Sequence, residues 1–395
     1  MNVWDLNLRH LLAVARIVEF GTVSAAATAV NLSQPAVTQA LSRLEGQIGM
    51  PLFDRRHDGM VPTVAALLLA PRIDAAMARM SSPYVTMSRL RALLALADVG
   101  SYAGASHVTG LSVPSIHRAV ADLGTAMRRK LVERRGRAVA LTEAGVQVVN
   151  AFRLAKVELE TGLSEVAALN GQETRSIAVG AMPLSRARIL PRAVTHFIRR
   201  YPMVKLGIAE GARPELLEPL RHGALDMMIG ALRDPLLEED LVQIPLFDDV
   251  PAVIARAGHP LAGTAPDRRE LARYGWVVPP RGTPLRESFE RHFAEAGIEM
   301  PKVPIESGSV MTLREILIDS DFLTLLSPDQ VSVELEAGWL IQLGALPPEL
   351  GRTIGLTCRA SWRPTEVQRA FIEELAEASA GLPGALHPDL SPLLG

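Results

Sequence analysis

Ala25-Ala26-Ala27-Thr28-Ala29-Val30-Asn31-Leu32-Ser33-Gln34-Pro35-Ala36-Val37-Thr38-Gln39-Ala40-Leu41-Ser42-Arg43-Leu44-Glu45 is the stretch whose reading decides the fold. Its alanines let two backbones approach closely, and Asn31 suits a left-handed turn residue. Ser33 is a good N-cap, with Pro35 tolerated in the first helical turn. Val37, Leu41 and Leu44 then fall at i, i+4 and i+7 and make one buried face. A helix over residues 8–18 stopping at Gly21 precedes the stretch. Helix, tight turn and helix at this size make a helix-turn-helix, whose second helix enters a DNA major groove.

The opposite face offers Gln34, Thr38, Gln39, Ser42 and Arg43. Gln can bridge adenine N6 and N7, and Thr can meet a base with its hydroxyl or its methyl. Downstream, Leu52-Phe53 can anchor a β-wing carrying Arg55 and Arg56, placed to neutralise phosphates.

The pattern occurs twice. At a shift of 79, residues 8–65 match residues 87–144 without gaps at 14 positions, including Gly21/Gly100, Leu32/Leu111, Ser33/Ser112, Pro35/Pro114, Leu44/Leu123 and Arg55/Arg134. In the second copy Ile116, Val120 and Leu123 repeat the buried face, and Ser112 repeats the cap. Val113 replaces Gln34, and Gly124 replaces Glu45. His117 and Arg118 stand on the exposed helix face, and a basic run holds Arg128, Arg129, Lys130, Arg134, Arg135 and Arg137. Such a run raises affinity for DNA without specifying sequence.

Charge agrees with a basic head on an acidic body. Residues 1–170 hold 18 Lys and Arg against 13 Asp and Glu; the remainder holds 23 against 30. The longest apolar run, residues 64–70, is far short of the roughly 20 residues of a membrane span, and the N-terminus lacks a secretory layout. The single cysteine, Cys358, excludes an internal disulfide and a cysteine-cluster zinc site. A cytoplasmic protein is expected, with no metal, no cofactor and no membrane partner.

Residues 64–80 read as an amphipathic helix broken at Pro71, followed by a Ser81-Ser82-Pro83 linker. Residues 146–169 read as one long helix whose stripe (Val149, Phe152, Val157, Leu159, Leu163) exceeds the need of one small domain and calls for a partner. Asn170-Gly171-Gln172-Glu173-Thr174 marks a boundary. Thereafter short strands alternate with helices, the pattern of a parallel α/β sheet. In such sheets ligands sit beyond the carboxyl ends of strands, against helix N-termini. Those places hold Met182, Leu184, Ser185 and Arg186; Arg281, Gly282 and Thr283; Ser307 and Ser309; and Ser327. Hydroxyls, backbone N–H groups and two arginines suit a small carboxylate or polyhydroxy ligand, although Ser and Thr there also serve as plain helix caps. His259, before Pro260 in a turn, reads as a surface residue. The sequence carries no nucleophile elbow, phosphate loop or His-x-x-x-His pair.

The run Ala25-Ala26-Ala27, Leu32-Ser33-Gln34-Pro35-Ala36-Val37-Thr38-Gln39, Leu44-Glu45 and Gly49-Met50-Pro51-Leu52-Phe53-Asp54-Arg55 resembles the DNA-binding domain of LysR-type transcriptional regulators. Leu141-Thr142-Glu143-Ala144-Gly145 resembles the family ending of the wing. Ile189-Leu190-Pro191 with Phe197 and Tyr201-Pro202, and Leu225-Asp226-Met227-Met228-Ile229, resemble the effector domain. The resemblance implies an α+β multidomain chain: two tandem winged helix-turn-helix domains, a linker helix, and a two-lobed α/β effector domain of periplasmic-binding-protein-like fold. The divisions expected are residues 1–80, 84–145, 146–170, 175–375 and a tail, 376–395. It further implies Gln34, Pro35 and Thr38 in the major groove, Arg55 on the backbone or minor groove, and the long helix pairing two protomers. The expected function is sequence-specific transcription regulation without catalysis. The partners are double-stranded DNA, a small organic acid, aromatic acid or sugar-derived effector, and further copies of the chain in a homodimer or homotetramer. The competing reading is a two-lobed α/β transferase with a nucleic-acid-targeting head.

Overall fold

Local capping chemistry ends the first helix of the head and starts the third where the sequence says it should. In the computed structural model, which describes residues 2–56, 59–80, 85–135, 138–172 and 175–394, α1 (Leu8–Phe20) ends at Gly21 with φ 72° and α2 (Val23–Ala29) is capped by Thr22. The turn passes through Asn31 at φ 54°, and Ser33 accepts from the Ala36 amide to start α3 (Gln34–Ile48). A hairpin, β1 (Phe53–Arg56) and β2 (Gly59–Pro62), forms the wing, and α4 (Val64–Met80) follows. The second unit repeats the order: α5 (Met87–Val99), α6 (Tyr102–Thr109), α7 (Val113–Met127), β3 (Val132–Arg135), β4 (Ala138–Leu141) and α8 (Glu143–Leu169).

Pro71 does not break α4. It is exposed, and so is Leu67, whose carbonyl lies one turn back where a non-proline N–H would bond it. An interior proline costs about 3 kcal/mol, but the buried face of α4 (Ala66, Leu69, Ile73, Ala76) holds the helix straight through. That face packs on α1 and along α8. Both winged units and α8 therefore share one core, in which Leu11, Leu41 and Leu69 join Leu90, Leu123 and Phe152. The α8 stripe packs along α4 of the same chain. The proposed linker Ser81-Ser82-Pro83 and the boundary residues Glu173 and Thr174 lie outside the described residues.

The part of the chain from Ser176 forms a separate unit of two lobes. Its elements are β5 (Ser176–Ala181), α9 (Ile189–Arg200), β6 (Lys205–Glu210), α10 (Arg213–Arg221), β7 (Met227–Ala231), β8 (Leu241–Asp249), β9 (Ala252–Arg256), α11 (Arg268–Leu271), β10 (Val277–Val278), α12 (Pro284–Ala294), β11 (Ile305–Glu306), α13 (Val310–Ile318), β12 (Thr324–Leu326), α14 (Ser332–Glu336), β13 (Leu340–Ala345), β14 (Arg352–Arg359) and α15 (Glu366–Ala380). One lobe is built on a five-stranded sheet, β6-β5-β7-β14-β8; the other on β12-β9-β13 with a β10-β11 pair. The expected all-parallel arrangement is corrected. β5 is parallel to β6 and β7, but β14 runs antiparallel to β7 and β8, because the chain leaves this lobe after β8 and returns to it from the other. In the second lobe β9 pairs antiparallel on both sides.

Two further expectations fail for reasons of packing. His259 is buried, its ring against Tyr274 and its Nδ1 accepting from the Leu261 amide, so burial depresses its pKa. The segment expected as a tail is part of the domain. Residues 376–380 finish α15, the Gly384 carbonyl accepts from Asp248, Leu386 donates to Leu246, and Leu382 and Leu393 are buried. This covers the edge strand β8, which would otherwise offer unpaired backbone to another chain. Among the described residues no helix is long and apolar enough to cross a membrane.

Candidate nucleic-acid interface and effector cleft

In the first winged unit, burial of Val37, Leu41 and Leu44 turns the other side of α3 outward. Gln34, Pro35, Gln39 and Arg43 are exposed there, with Thr38 half-buried among them and Ser33 exposed at the cap. The Thr38 hydroxyl donates to the Gln34 carbonyl at 3.1 Å, leaving its methyl and an acceptor lone pair for a ligand. Arg55 and Arg56 are exposed on β1. A residue whose role the sequence reading left unassigned sets the wing's angle. Glu45, at the end of α3, accepts from the amides of Leu52 (2.7 Å) and Phe53 (3.4 Å), and both side chains are buried.

In the second unit Ser112 caps α7, and His117 and Arg118 are exposed. The His117 ring stacks on Tyr102 at 4.1 Å, a contact that alternating helix patterns do not announce. Gly124 offers no carboxylate to the wing, and a groove of about 360 Å³ opens there, lined by Tyr102, His117, Thr125, Arg129 and Leu131 among others. Arg134 and Arg135 are exposed on β3, Arg135 beside Glu133 at 3.0 Å. Arg137 lies outside the described residues.

Charges at matching positions differ between the units. His10 is held below the ordinary histidine range, first by burial and then by Arg43. The residues at the same two places in the second unit, Arg89 and Asp122, make an ion pair at 3.1 Å. Beneath both units lies a buried ionic cluster missed at the level of sequence. Arg72 on α4 makes a bidentate contact with Glu165 on α8 (3.0 and 3.2 Å) and reaches Glu158 at 3.2 Å, while Arg79 stands 3.7 Å from Glu158. Burial would depress the Arg72 pKa, but the bonds and charges of Glu165 and Glu158 outweigh it and raise it.

In the two-lobed unit the proposed ligand residues do sit after strand ends, yet most of their polar atoms are engaged. Met182 and Leu184 are buried in the turn after β5, where the Ser185 hydroxyl, itself buried, donates to the Met182 carbonyl at 2.8 Å. Arg186 pairs with Glu210. Thr283 caps α12 after Gly282, which takes φ 80°, and Ser309 caps α13. Ser307 accepts from the Ser309 amide at 3.2 Å. Ser327 is buried and makes no cap bond, and Arg281 is largely exposed, 3.7 Å from Glu290. Two bridges join the lobes at these ends. Arg188, after β5, pairs with Asp329, two residues past Ser327, at 3.1 Å, and Arg233, after β7, donates to the Gly282 carbonyl at 3.4 Å. Burial raises the Asp329 pKa against the pull of Arg188. The strand ends carrying Ser185, Gly282 and Ser327 are thus drawn to one seam. Among the described residues no group of three or more His, Cys, Asp or Glu side chains is arranged to hold a metal ion.

Comparison with known proteins covers both parts. The bacterial regulatory helix-turn-helix family of lysR type matches residues 8–67 and again 87–146, and the LysR substrate binding domain matches residues 170–380. The HTH-type transcriptional regulator GalR of Pseudomonas putida is 31% identical over 367 residues, 90% of this chain and 92% of its own. Among solved structures, ArgP of Mycobacterium tuberculosis has a TM-score of 0.59 at 15% identity, covering 75% of this chain and 98% of its own. A full-length OxyR variant of Pseudomonas aeruginosa has a TM-score of 0.57 at 24% identity, covering 76% and 97%. These two structures, matched almost end to end, leave about a quarter of this chain without a counterpart, whereas the Pseudomonas putida relative does not.

Proposed function

Because the chain belongs to the LysR family of transcriptional regulators, we propose that it reads promoter DNA through a duplicated winged head, under the control of a small anionic or polyhydroxy metabolite bound at the seam of the two lobes. LysR regulators bind DNA and small-molecule effectors and form oligomers, and the relatives compared are named as regulators, which disfavours the transferase reading. The observation that carries the proposal is the exposed polar face of a capped α3, Gln34 to Arg43, beside a basic wing. Gln34, Pro35, Thr38 and Gln39 lie in the major groove, where the glutamines and Thr38 read bases, while Ser33, Arg43, Arg55 and Arg56 set register on the backbone. The second unit, with Ser112, His117, Arg118, Arg134, Arg135 and Arg137, contributes mainly charge. The effector is a small organic acid, an aromatic acid or a sugar derivative, received by Ser307, Ser327, Arg281 and the backbone after β5 and around Gly282 and Thr283. Residues 1–80 and 84–145 are the two readers, and the effector domain runs from residue 175 through the segment packed on β8.

Two variants test it in one titration of specific and random DNA against salt. Gln34→Ala is expected to lower specific affinity by about 1–3 kcal/mol and leave random-sequence binding unchanged. Neutralising Arg134, Arg135 and Arg137 is expected to flatten the salt dependence by on the order of one slope unit for each phosphate no longer neutralised, with sequence preference kept. Equal losses on both DNAs for Gln34→Ala refute base reading by α3. An unchanged salt slope for the triple variant refutes the role of the second unit.

A further inference from the structure

The contact between α4 and α8 has the form of a two-fold interface closed within one chain. The helices hold matching places in the two units, each following a wing. They run antiparallel, since Arg72 meets Glu165 while Arg79 meets Glu158, and Leu69 and Arg72 lie against Gly162, where an added Cβ would stand only 3.0 Å from each. Arg79 and Glu158 are separated by the repeat length, 79, so they are the same position in the two copies. Contact between equivalent residues of antiparallel partners marks a two-fold axis. At that axis the copies are complementary and not alike. Arg72 and Arg79, two turns apart on α4, face Glu158 and Glu165, two turns apart on α8, and Glu158 is 7% exposed. Pairing α8 with α8 of a second chain in this way would bury Glu158 against Glu158, and pairing α4 with α4 would set Arg79 against Arg79. The first sets two carboxylates against each other out of water, and the second brings two guanidinium groups together.

We infer that a single chain is a complete two-headed reader: α4 and α8 pair internally and hold α3 and α7 in inverted relation, so that one chain takes a duplex bearing two unlike half-sites in opposite orientation. This rests on the proposal that the second unit meets DNA. Oligomers of the chain then join heads that are already paired.

The test separates the two claims. Full-length Arg79→Cys with Glu158→Cys is treated with a short bis-maleimide beside an equimolar mixture of the two single variants, with the unsubstituted chain, which carries Cys358, as the blank. The double variant is expected to link within one chain at monomer mass, and the mixture to give no covalent dimer. Dimers from the mixture overturn internal pairing. Should the substitutions unfold the head, hydrogen exchange on the unsubstituted chain serves instead. Protection of α4 and α8 is expected to survive a hundredfold dilution, and its loss overturns the pairing. For the DNA claim, fragments are selected by the full-length protein from a random-sequence pool. Two unlike inverted half-sites are expected, the one under α3 strict, with about tenfold or greater loss of affinity when it is scrambled, and the one under α7 less strict, with a smaller loss. Identical or directly repeated half-sites overturn the one-chain reader. A lone half-site overturns DNA reading by the second unit and leaves the cross-link result standing.

Discussion

Where α3 ends, Glu45 clamps the first wing through two amides, and the chain leaves the helix through Gly49 at φ 81°. Where α7 ends, Gly124 leaves a groove, and Arg128 takes φ 51° at a cost that glycine avoids. Gln34 and Arg43 face solvent in the first unit; Val113 and an ion-paired Asp122 replace them in the second. Most positions shared by both units are those that cap, turn and fill, among them Ser33/Ser112, Gly21/Gly100, Leu44/Leu123 and Leu52/Leu131. The exposed wing arginines Arg55/Arg134 and Arg56/Arg135 are shared beside them. Packing and capping hold a fold in place whatever its surface does, so the surface is free to specialise. The first unit exposes Gln34, Gln39 and Arg43 on α3, and the second exposes His117 and Arg118 on α7 with Arg134 and Arg135 on its wing.

The comparison breaks most completely at the joint. Arg72→Ala leaves Glu158 and Glu165 buried with less counter-charge and is expected to destabilise the head by about 3–5 kcal/mol, read by urea unfolding. A loss below about 1 kcal/mol would mean that the two units do not depend on the cluster.

A smaller effect sharpens the contrast between the wings. Glu45→Ala strands the Leu52 and Phe53 amides and is expected to cost about 1–3 kcal/mol, with faster hydrogen exchange at both. The second wing has no such clamp, so Leu131 and Val132 amides should be unaffected. Unchanged exchange at Leu52 would show that the first wing stands without its clamp too.

The smallest effect tests the charge difference between α3 and α7. Arg43→Asp copies the second unit and is expected to raise the His10 pKa, followed by ring-proton resonances, with the part due to burial remaining. Because the folded pKa is depressed, the contribution of neutral His10 to stability is present above 6.5 and lost as pH falls below it. The variant should therefore lose less stability on acidification. An unmoved His10 resonance would mean that Arg43 exerts no field there.

The reading of the head from sequence was close because its determinants are local. Asn31, Ser33, Pro35 and the glycines each act within four residues, and the spacing of Val37, Leu41 and Leu44 reports the buried side directly. What escaped depends on partners distant in sequence. Pro71 stays helical because α1 and α8 grip the far face of α4. His259 is buried by Tyr274, β14 is antiparallel because the chain returns from the other lobe, and residues 382–393 are ordered by β8. The candidate cleft was legible as strand ends but not as contacts, since Ser185, Thr283 and Ser309 spend their hydroxyls on their own turns, while Arg188, Asp329 and Arg233, which join the lobes, carry no pattern.

The Arg79–Glu158 contact bears on how such a molecule changes over generations. In a symmetric pair every substitution at the axis is made twice and meets itself, so an opposite-charge contact between equivalent residues cannot arise there. Once both partners are written in one reading frame, each codon moves alone. The two heads can drift apart in preference, and the object they form acquires a front and a back. As the proposed two-headed reader, it points along a duplex in one direction.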